Sequence, residues 1–313
     1  MKENNSYDKN NHLAIKGMID QNEGLNIHGV PLKELQSREL KMLKRFISIC
    51  ENNKLTYYLA GGTLLGAVRH SGFIPWDDDA DVIMPRKDYD RFIEIAVKTD
   101  SDYEILSIQN DIKYCFLFAK YMDSNTTAIG YDYIRSRSRF GVWVDIFPLD
   151  KAPVSFFSKK WFSSKEKILN TCIEHIRTEG ASTKSTGNPL KKRLKSVIVL
   201  LYCHKKTLQG LNIRKENLFR SFSSKNTGYV CNFAGRHIVL PESVFSAGIK
   251  MEFEGISVTV PSQYNVWLEK LYGPDYMEMP PVEKQTIRHL DEYDILDLEQ
   301  SYHKYIDEEG NLL

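Results

Sequence analysis

The chain contains no apolar run longer than the seven residues from Val197 to Cys203, far short of the roughly 20 that a membrane-spanning helix requires. No span is therefore predicted. The N-terminal Met1-Lys2-Glu3-Asn4-Asn5-Ser6 lacks the apolar segment of a secretion signal. Cys50, Cys115, Cys172, Cys203 and Cys231 are scattered, odd in number and without a close pair. Neither a zinc site nor a disulfide framework is expected, and a reducing, cytoplasmic setting fits best. Internal repeats and low-complexity tracts are also missing. The 313 residues, 42% of them hydrophobic, suffice for one large or two ordinary globular domains.

Net charge is only +1, but it is unevenly spread. From Lys151 to Lys225 there are 17 Lys and Arg against 4 Asp and Glu, and the remainder is acidic. Such asymmetry points to an anionic partner: membrane, polyanionic glycan or nucleic acid. The chain divides accordingly into a flexible tail (1–34), a core (35–150), a basic, mainly helical lobe (151–225) and a C-terminal part packing on the core (226–313).

From Ser37, Leu40, Leu43, Phe46, Ile47 and Cys50 recur at helical spacing. Leu55 to Ala60 predicts a strand, ended by Gly61-Gly62. Thr63 is the expected N-cap of a short helix that Gly72 and Pro75 stop. Asp81 to Met84 continues as a strand, Tyr89 to Val97 as a helix, and Tyr103 to Ile108 and Tyr114 to Met122 as strands. Gly141 to Pro148 is a last, strongly apolar strand with Asp145 inside it. Phe253-Glu254-Gly255-Ile256 marks a hairpin turn, and Ser262 to Tyr272 a helix closed by Gly273-Pro274.

Chemistry concentrates at Asp77-Asp78-Asp79-Ala80-Asp81, sixteen residues after Gly61. Four acids in five positions repel one another, and a fold keeps them together mainly to hold divalent cations. In an extended segment Asp77, Asp79 and Asp81 share one face. The glycine turn is the complementary device, because backbone amides opening a helix bind phosphate. A calcium loop fits positions 1, 3 and 5, but it fails at Val82, Pro85 and Asp88. A glycosyltransferase Asp-any-Asp motif leaves the upstream glycines unexplained. An unpaired Asp145 between Val144 and Ile146 would be costly, which favours it as a third metal ligand. Asp150 is a weaker alternative and otherwise a turn initiator.

The order Gly-Gly, Asp-any-Asp and a later strand Asp resembles the nucleotidyltransferase superfamily. Gly61 to His70, Ile74-Pro75-Trp76-Asp77-Asp78-Asp79 and Val144-Asp145-Ile146-Phe147-Pro148-Leu149-Asp150 resemble the LicD family of phosphocholine transferases. Tyr272-Gly273-Pro274-Asp275-Tyr276-Met277 with Pro280-Pro281 and His289 resembles its C-terminal signature. The resemblance implies an α+β fold with a nucleotidyltransferase-like mixed β-sheet flanked by helices, the basic helical lobe being added to it. It implies metal binding, Mg²⁺ or Mn²⁺, by Asp79 and Asp81, a third carboxylate role for Asp145, and phosphate or nucleotide contacts at Gly61, Gly62 and Thr63.

The implied reaction moves phosphocholine or a related phospho-alcohol from a CDP-choline-like donor to a glycan or lipid-linked glycan hydroxyl of teichoic acid or lipopolysaccharide type. Nucleic acid is not an expected partner. A nucleotidyltransferase releasing pyrophosphate and an inactive glycan- or nucleotide-binding module are the alternatives. Arg69, Lys87 and Lys120 are candidate phosphate partners, and Asp145 is a candidate proton acceptor. Tyr131, Tyr133, Trp143, Tyr272 and Tyr276 are candidate walls of a choline cage, and His289 is a candidate phosphate or acceptor contact. Residues 191–206, basic around an apolar centre, are the expected peripheral contact with the inner face of the cytoplasmic membrane.

Overall fold

A short hairpin, β1 (Asn26–Ile27) and β2 (Val30–Pro31), leads into helix α1 (Leu32–Asn52), which begins five residues ahead of Ser37. The computed structural model describes residues 26–27, 29–100, 102–111, 114, 116–130, 141–178, 207–287 and 293–307. Leu35, Met42, Leu43, Phe46 and Cys50 recur along one stripe of α1 and are buried. Strand β3 (Tyr58–Leu59) then runs into helix α2 (Gly61–His70), followed by β4 (Asp81–Pro85) and helix α3 (Arg86–Thr99). Strands β5 (Glu104–Leu106), β6 (Ala119–Met122), β7 (Thr127–Gly130) and β8 (Trp143–Lys151) complete the first half.

The second half opens with helices α4 (Phe156–Thr178) and α5 (Leu208–Phe219), which pack on each other. Strands β9 (Tyr229–Cys231) and β10 (Val239–Pro241), hairpin β11 (Ile249–Phe253) and β12 (Ile256–Val260), helix α6 (Tyr264–Tyr272) and strand β13 (Tyr293–Asp297) follow. The architecture is thus α+β, with a mixed sheet and six helices among the described residues, as a nucleotidyltransferase-like fold requires. No helix among these residues is long and apolar enough to cross a membrane. Residues 191–206, Tyr131, Tyr133 and His289 lie outside the described residues.

Strand β8 is the spine of the sheet. It pairs in parallel with β4 through residues 145–149 and antiparallel with β6 through 143–146. Beyond β6, Asp150 and Lys151 pair with β9, which carries β10. Side chains on β8 alternate between two faces. Val144 and Ile146 enter the core shared with Phe46, Phe92 and Tyr121, whereas Asp145, Phe147 and Leu149 line a cavity. That alternation is why one acid is tolerated inside an apolar strand.

Asp150 belongs to the opposite set and does not initiate a turn. Its side chain is fully buried, and both oxygens accept from Arg86, at 2.7 and 2.6 Å. Arg86 also donates to Glu216 at 2.6 Å, and Arg220 joins Glu216 to Asp90. This network ties α3, β8 and α5 together. Cys50 and Cys231 are free and buried, whereas Cys172 is disulfide-bonded, a pairing that the scattered cysteine spacing does not reveal.

Removing one partner from a buried ion network leaves uncompensated charge, at a cost of about 3–5 kcal/mol. Arg86→Ala should therefore lower the urea midpoint by that equivalent. Arg86→Lys, which cannot reproduce the two-pronged bond to Asp150, should recover only part of it. A midpoint unchanged in Arg86→Ala would show that the network contributes nothing to stability.

Candidate active site

Helix α2 starts at Gly61, and Thr63 is not its N-cap. Ala60, with extended backbone, occupies the cap position, and no side chain caps the helix. Thr63 has a different task from the one its sequence position suggested. Its buried Oγ1 accepts a 2.8 Å hydrogen bond from the Asp81 backbone amide. The Ala60 amide donates to the Asp81 carbonyl at 3.0 Å, and the Asp145 amide donates to the Ala80 carbonyl at 2.9 Å. The start of α2 is thereby fastened to the start of β4, and β4 to β8.

The two glycines are explained by close approach. Gly61 adopts φ +52°, and a Cβ there would come 2.2 Å from Asp81 Oδ2. A Cβ on Gly62 would come 2.4 Å from Asp77 Oδ2. The glycine turn and the acid cluster, separate in sequence, are therefore one site. Gln36 on α1 holds the acid loop from behind, donating to the Asp77 carbonyl at 2.9 Å.

Strand pairing supplies the rest. Asp81 stands opposite Asp145 in the parallel β4–β8 ladder, and Lys120 stands opposite Asp145 in the antiparallel β6–β8 ladder. Residues directly opposite on neighbouring strands project from the same face. Lys120 is 1% exposed, donates to Asp145 at 2.7 Å, and lies over the Trp143 ring with Nζ 3.6 Å from its centroid. Burial lowers the Lys120 pKa, while Asp145 opposes that shift.

Asp79, Asp81 and Asp145 each place a carboxylate oxygen within 4.8 Å of the others. Asp77, Asp78 and Asp79 form a second such group, in which Asp78 is buried. Burial, then the charges of Asp79, Asp145 and Asp77, raise the Asp81 carboxyl well above its ordinary range. Glu39 on α1 is shifted the same way by burial and by Asp79, Asp78, Asp77 and Asp145, and its Oε2 accepts no hydrogen bond. Convergent hard oxygen donors carrying surplus negative charge are the donor set that Mg²⁺ or Mn²⁺ takes. The residues present therefore fit such an ion.

The acids open into a cavity of ≈ 420 Å³ also lined by Gly61, Gly62, Phe118, Phe147, Arg236 and Tyr272. Two expected cage residues, Trp143 and Tyr272, line it, whereas Tyr276 does not. Arg69 is elsewhere: its Nη1 donates to the carbonyls of Tyr276 and Glu278, at 3.1 and 3.0 Å. Lys87 lines a second cavity of ≈ 620 Å³, which shares Leu149 and Phe245 with the first.

Two contributors escaped sequence reading. Glu39 recurs four residues after Leu35 and three before Met42, so an acid on the buried stripe of α1 was the available signal. Arg236 lies in the β9–β10 loop, where nothing in the pattern marks it. Its guanidinium donates to the Leu271 carbonyl at 2.9 Å and lies 5.6 Å from the Tyr272 ring centroid.

Residues 54–176 match the family described as LicD/FKTN/FKRP, nucleotidyltransferase domain. The chain is 30% identical over 279 residues to the lipopolysaccharide cholinephosphotransferase LicD of Haemophilus influenzae, covering 85% of this chain and 98% of that protein. The chain belongs to the LicD family. An uncharacterised protein of Rickettsia prowazekii is 26% identical over 117 residues, which cover 37% of this chain and 41% of that one. Another, from Rickettsia typhi, is 40% identical over 55 residues, 18% of each chain. The LicD domain match spans the glycine turn, the acid cluster, Lys120 and Asp145.

Mg²⁺ or Mn²⁺ should raise the Tm of the full chain, and the increment should grow as pH rises above the ordinary carboxyl range, about pH 4. The sign follows from Asp81 and Glu39. Their folded pKa values are raised, so stability present while they are protonated is lost as pH rises through those values. A cation offsets that loss. Gly62→Ala, which drives a methyl into Asp77, should keep its helical circular dichroism but lose most of the cation-induced increment. Melting curves indifferent to the cation at every pH would remove the metal assignment.

Proposed function

We propose that this protein transfers phosphocholine, or a related phospho-alcohol, from a CDP-linked donor to a hydroxyl of a cell-surface glycan in a metal-dependent reaction that releases CMP. One observation carries this reading. Asp79, Asp81 and Asp145 converge beside the first turn of α2, in a chain aligned with nearly all of a lipopolysaccharide cholinephosphotransferase. Lipopolysaccharide-type and teichoic acid-type glycans are the acceptor classes, and the inner face of the cytoplasmic membrane is the working location.

Asp79, Asp81 and Asp145 would hold a divalent cation, which would supply charge stabilisation to the transfer. The protein's own groups do the remainder. The amides opening α2 at Gly61 and Gly62 favour donor phosphate oxygens, a use that helix N-termini serve generally. Lys120 and Arg236 add positive charge on either side of the cavity. The acceptor oxygen forms the new bond to the phosphorus that carries the alcohol. The bond from that phosphorus to the bridging oxygen breaks, CMP departs with the electron pair, and Asp145 takes the hydroxyl proton.

A quaternary ammonium is recognised by aromatic faces. Phe118 and Phe147, with ring centroids 4.6 Å apart, line the cavity with Trp143 and Tyr272 and are the aromatic walls we assign to the head-group site. The second cavity accommodates the acceptor glycan. Thr56 and Ser223 line it with Lys87, Lys151, Asp90 and Glu242, a mixture of donors and acceptors suited to a polyol.

Incubation with CDP-choline and a lipopolysaccharide or teichoic acid acceptor should yield CMP and choline-bearing glycan. Pyrophosphate released from nucleoside triphosphates would instead favour nucleotide attachment, and neither product would favour a binding module. Asp79→Ala and Asp81→Ala should each reduce turnover by roughly a hundredfold or more with the fold intact, the scale of lost charge stabilisation at a transferred group. Near-normal turnover in both would sink the assignment.

A further inference from the structure

Helix α4 buries Phe162, Cys172 and Ile173 in two small cores beneath it. Its first turns break that pattern. Phe156 and Phe157 are 71% and 81% exposed, the highest values for large apolar side chains among the described residues. Trp161, one turn on, is 47% exposed, and Val154, just ahead of the helix, is 40% exposed. Exposed Lys159, Lys160, Lys165 and Lys167 surround them. None of the four enters an ion pair among the described residues. Lys160 Nζ lies 6.0 Å from the Phe156 ring centroid, and Trp161 meets Phe222 edge-on, with Lys225 at 4.7 Å from that ring. The nearest acid on the helix, Glu166, is turned inward toward His237.

We propose that this turn is a peripheral membrane contact, in which Phe156, Phe157 and Trp161 enter the interfacial layer and the lysines meet anionic phospholipid headgroups. Aromatic side chains ringed by lysine are what interfacial binding uses: apolar burial supplies the depth, and charge selects anionic lipid. Charge complementarity decides against the other occupants. Lysine is depleted at protein–protein interfaces, and a two-fold contact between copies of this chain would set the same lysines against each other. The inference is independent of the transfer reaction, because it concerns binding alone.

The test uses the full chain and vesicles of phosphatidylcholine with or without phosphatidylglycerol. Sedimentation with the anionic vesicles is expected, weakening as salt rises. Trp76, Trp143 and Trp267 are buried, so a blue shift of tryptophan emission on vesicle addition reports Trp161. Trp161→Phe should abolish the shift yet still sediment. Phe156→Ala with Phe157→Ala, both at exposed positions, should weaken sedimentation by roughly tenfold or more, and Lys159→Glu with Lys160→Glu should remove the preference for anionic lipid. The proposal is overturned if the parent protein sediments with neither vesicle, or if the double alanine variant sediments as the parent does. It is also overturned if that variant loses only a lipid-free dimer of the parent, which would assign the turn to a second copy.

Discussion

The register of β4 on β8 is the constraint on which the site depends. Asp81 opposite Asp145 puts two carboxylates on one face of a sheet whose other face is the core. A slip of one residue would exchange every side chain between those faces, driving Asp145 inward and Val144 or Ile146 out. The register is held from several directions. Thr63 and Ala60 bond the Asp81 backbone, Ala80 bonds the Asp145 amide, and Val82, Ile83 and Met84 are completely buried beside Val144 and Ile146. Apolar burial thus enforces a juxtaposition of like charges that electrostatics alone would disperse.

That enforced repulsion shows in the raised carboxyls of Asp81 and Glu39. Lys120 is the opposing charge built into the sheet, and it is held where it is by Asp145 and by the Trp143 face. Its burial makes it a fixed charge, unlike a surface lysine that screens weakly and moves freely. The arrangement holds like charges together at the expense of stability, a trade expected where charge must be preorganised.

Local features of this site were legible in the sequence because they violate local rules. An aspartate within an apolar strand and four acids beside Trp76 and Val82 contradict what a solvated loop or a core strand contains, and Asp145 and all of the four but Asp78 fall in the cavity wall. The helices were legible from their stripes. What was not legible depends on contacts distant in sequence. Thr63 has the chemistry of an N-cap, but Asp81 offers its hydroxyl a backbone partner, and the cap lies three residues earlier, at Ala60. Asp150 follows Pro148 as a turn residue would, yet Arg86, 64 positions earlier, pairs with it inside the protein. Arg69 looked free for a phosphate, but carbonyls more than 200 residues away hold it. No periodicity reports a partner at such separations.

The far wall of the cavity shows how a buried network outside a site can shape it. Asn232, Arg236 and Ile238 lie between β9 and β10, and β9 pairs with β8 at Asp150 and Lys151. The backbone of Asp150 meets Cys231 while its side chain is gripped by Arg86. The same residue therefore anchors the loop that brings Arg236 to the acids. Apolar replacements of Arg86, Asp150 and Glu216 together would satisfy burial as well or better, but they would remove the directional bonds that tie α3 to β8 and α5. The network thereby holds the strand whose following loop places Arg236 in the wall of the same cavity as Asp79, Asp81 and Asp145.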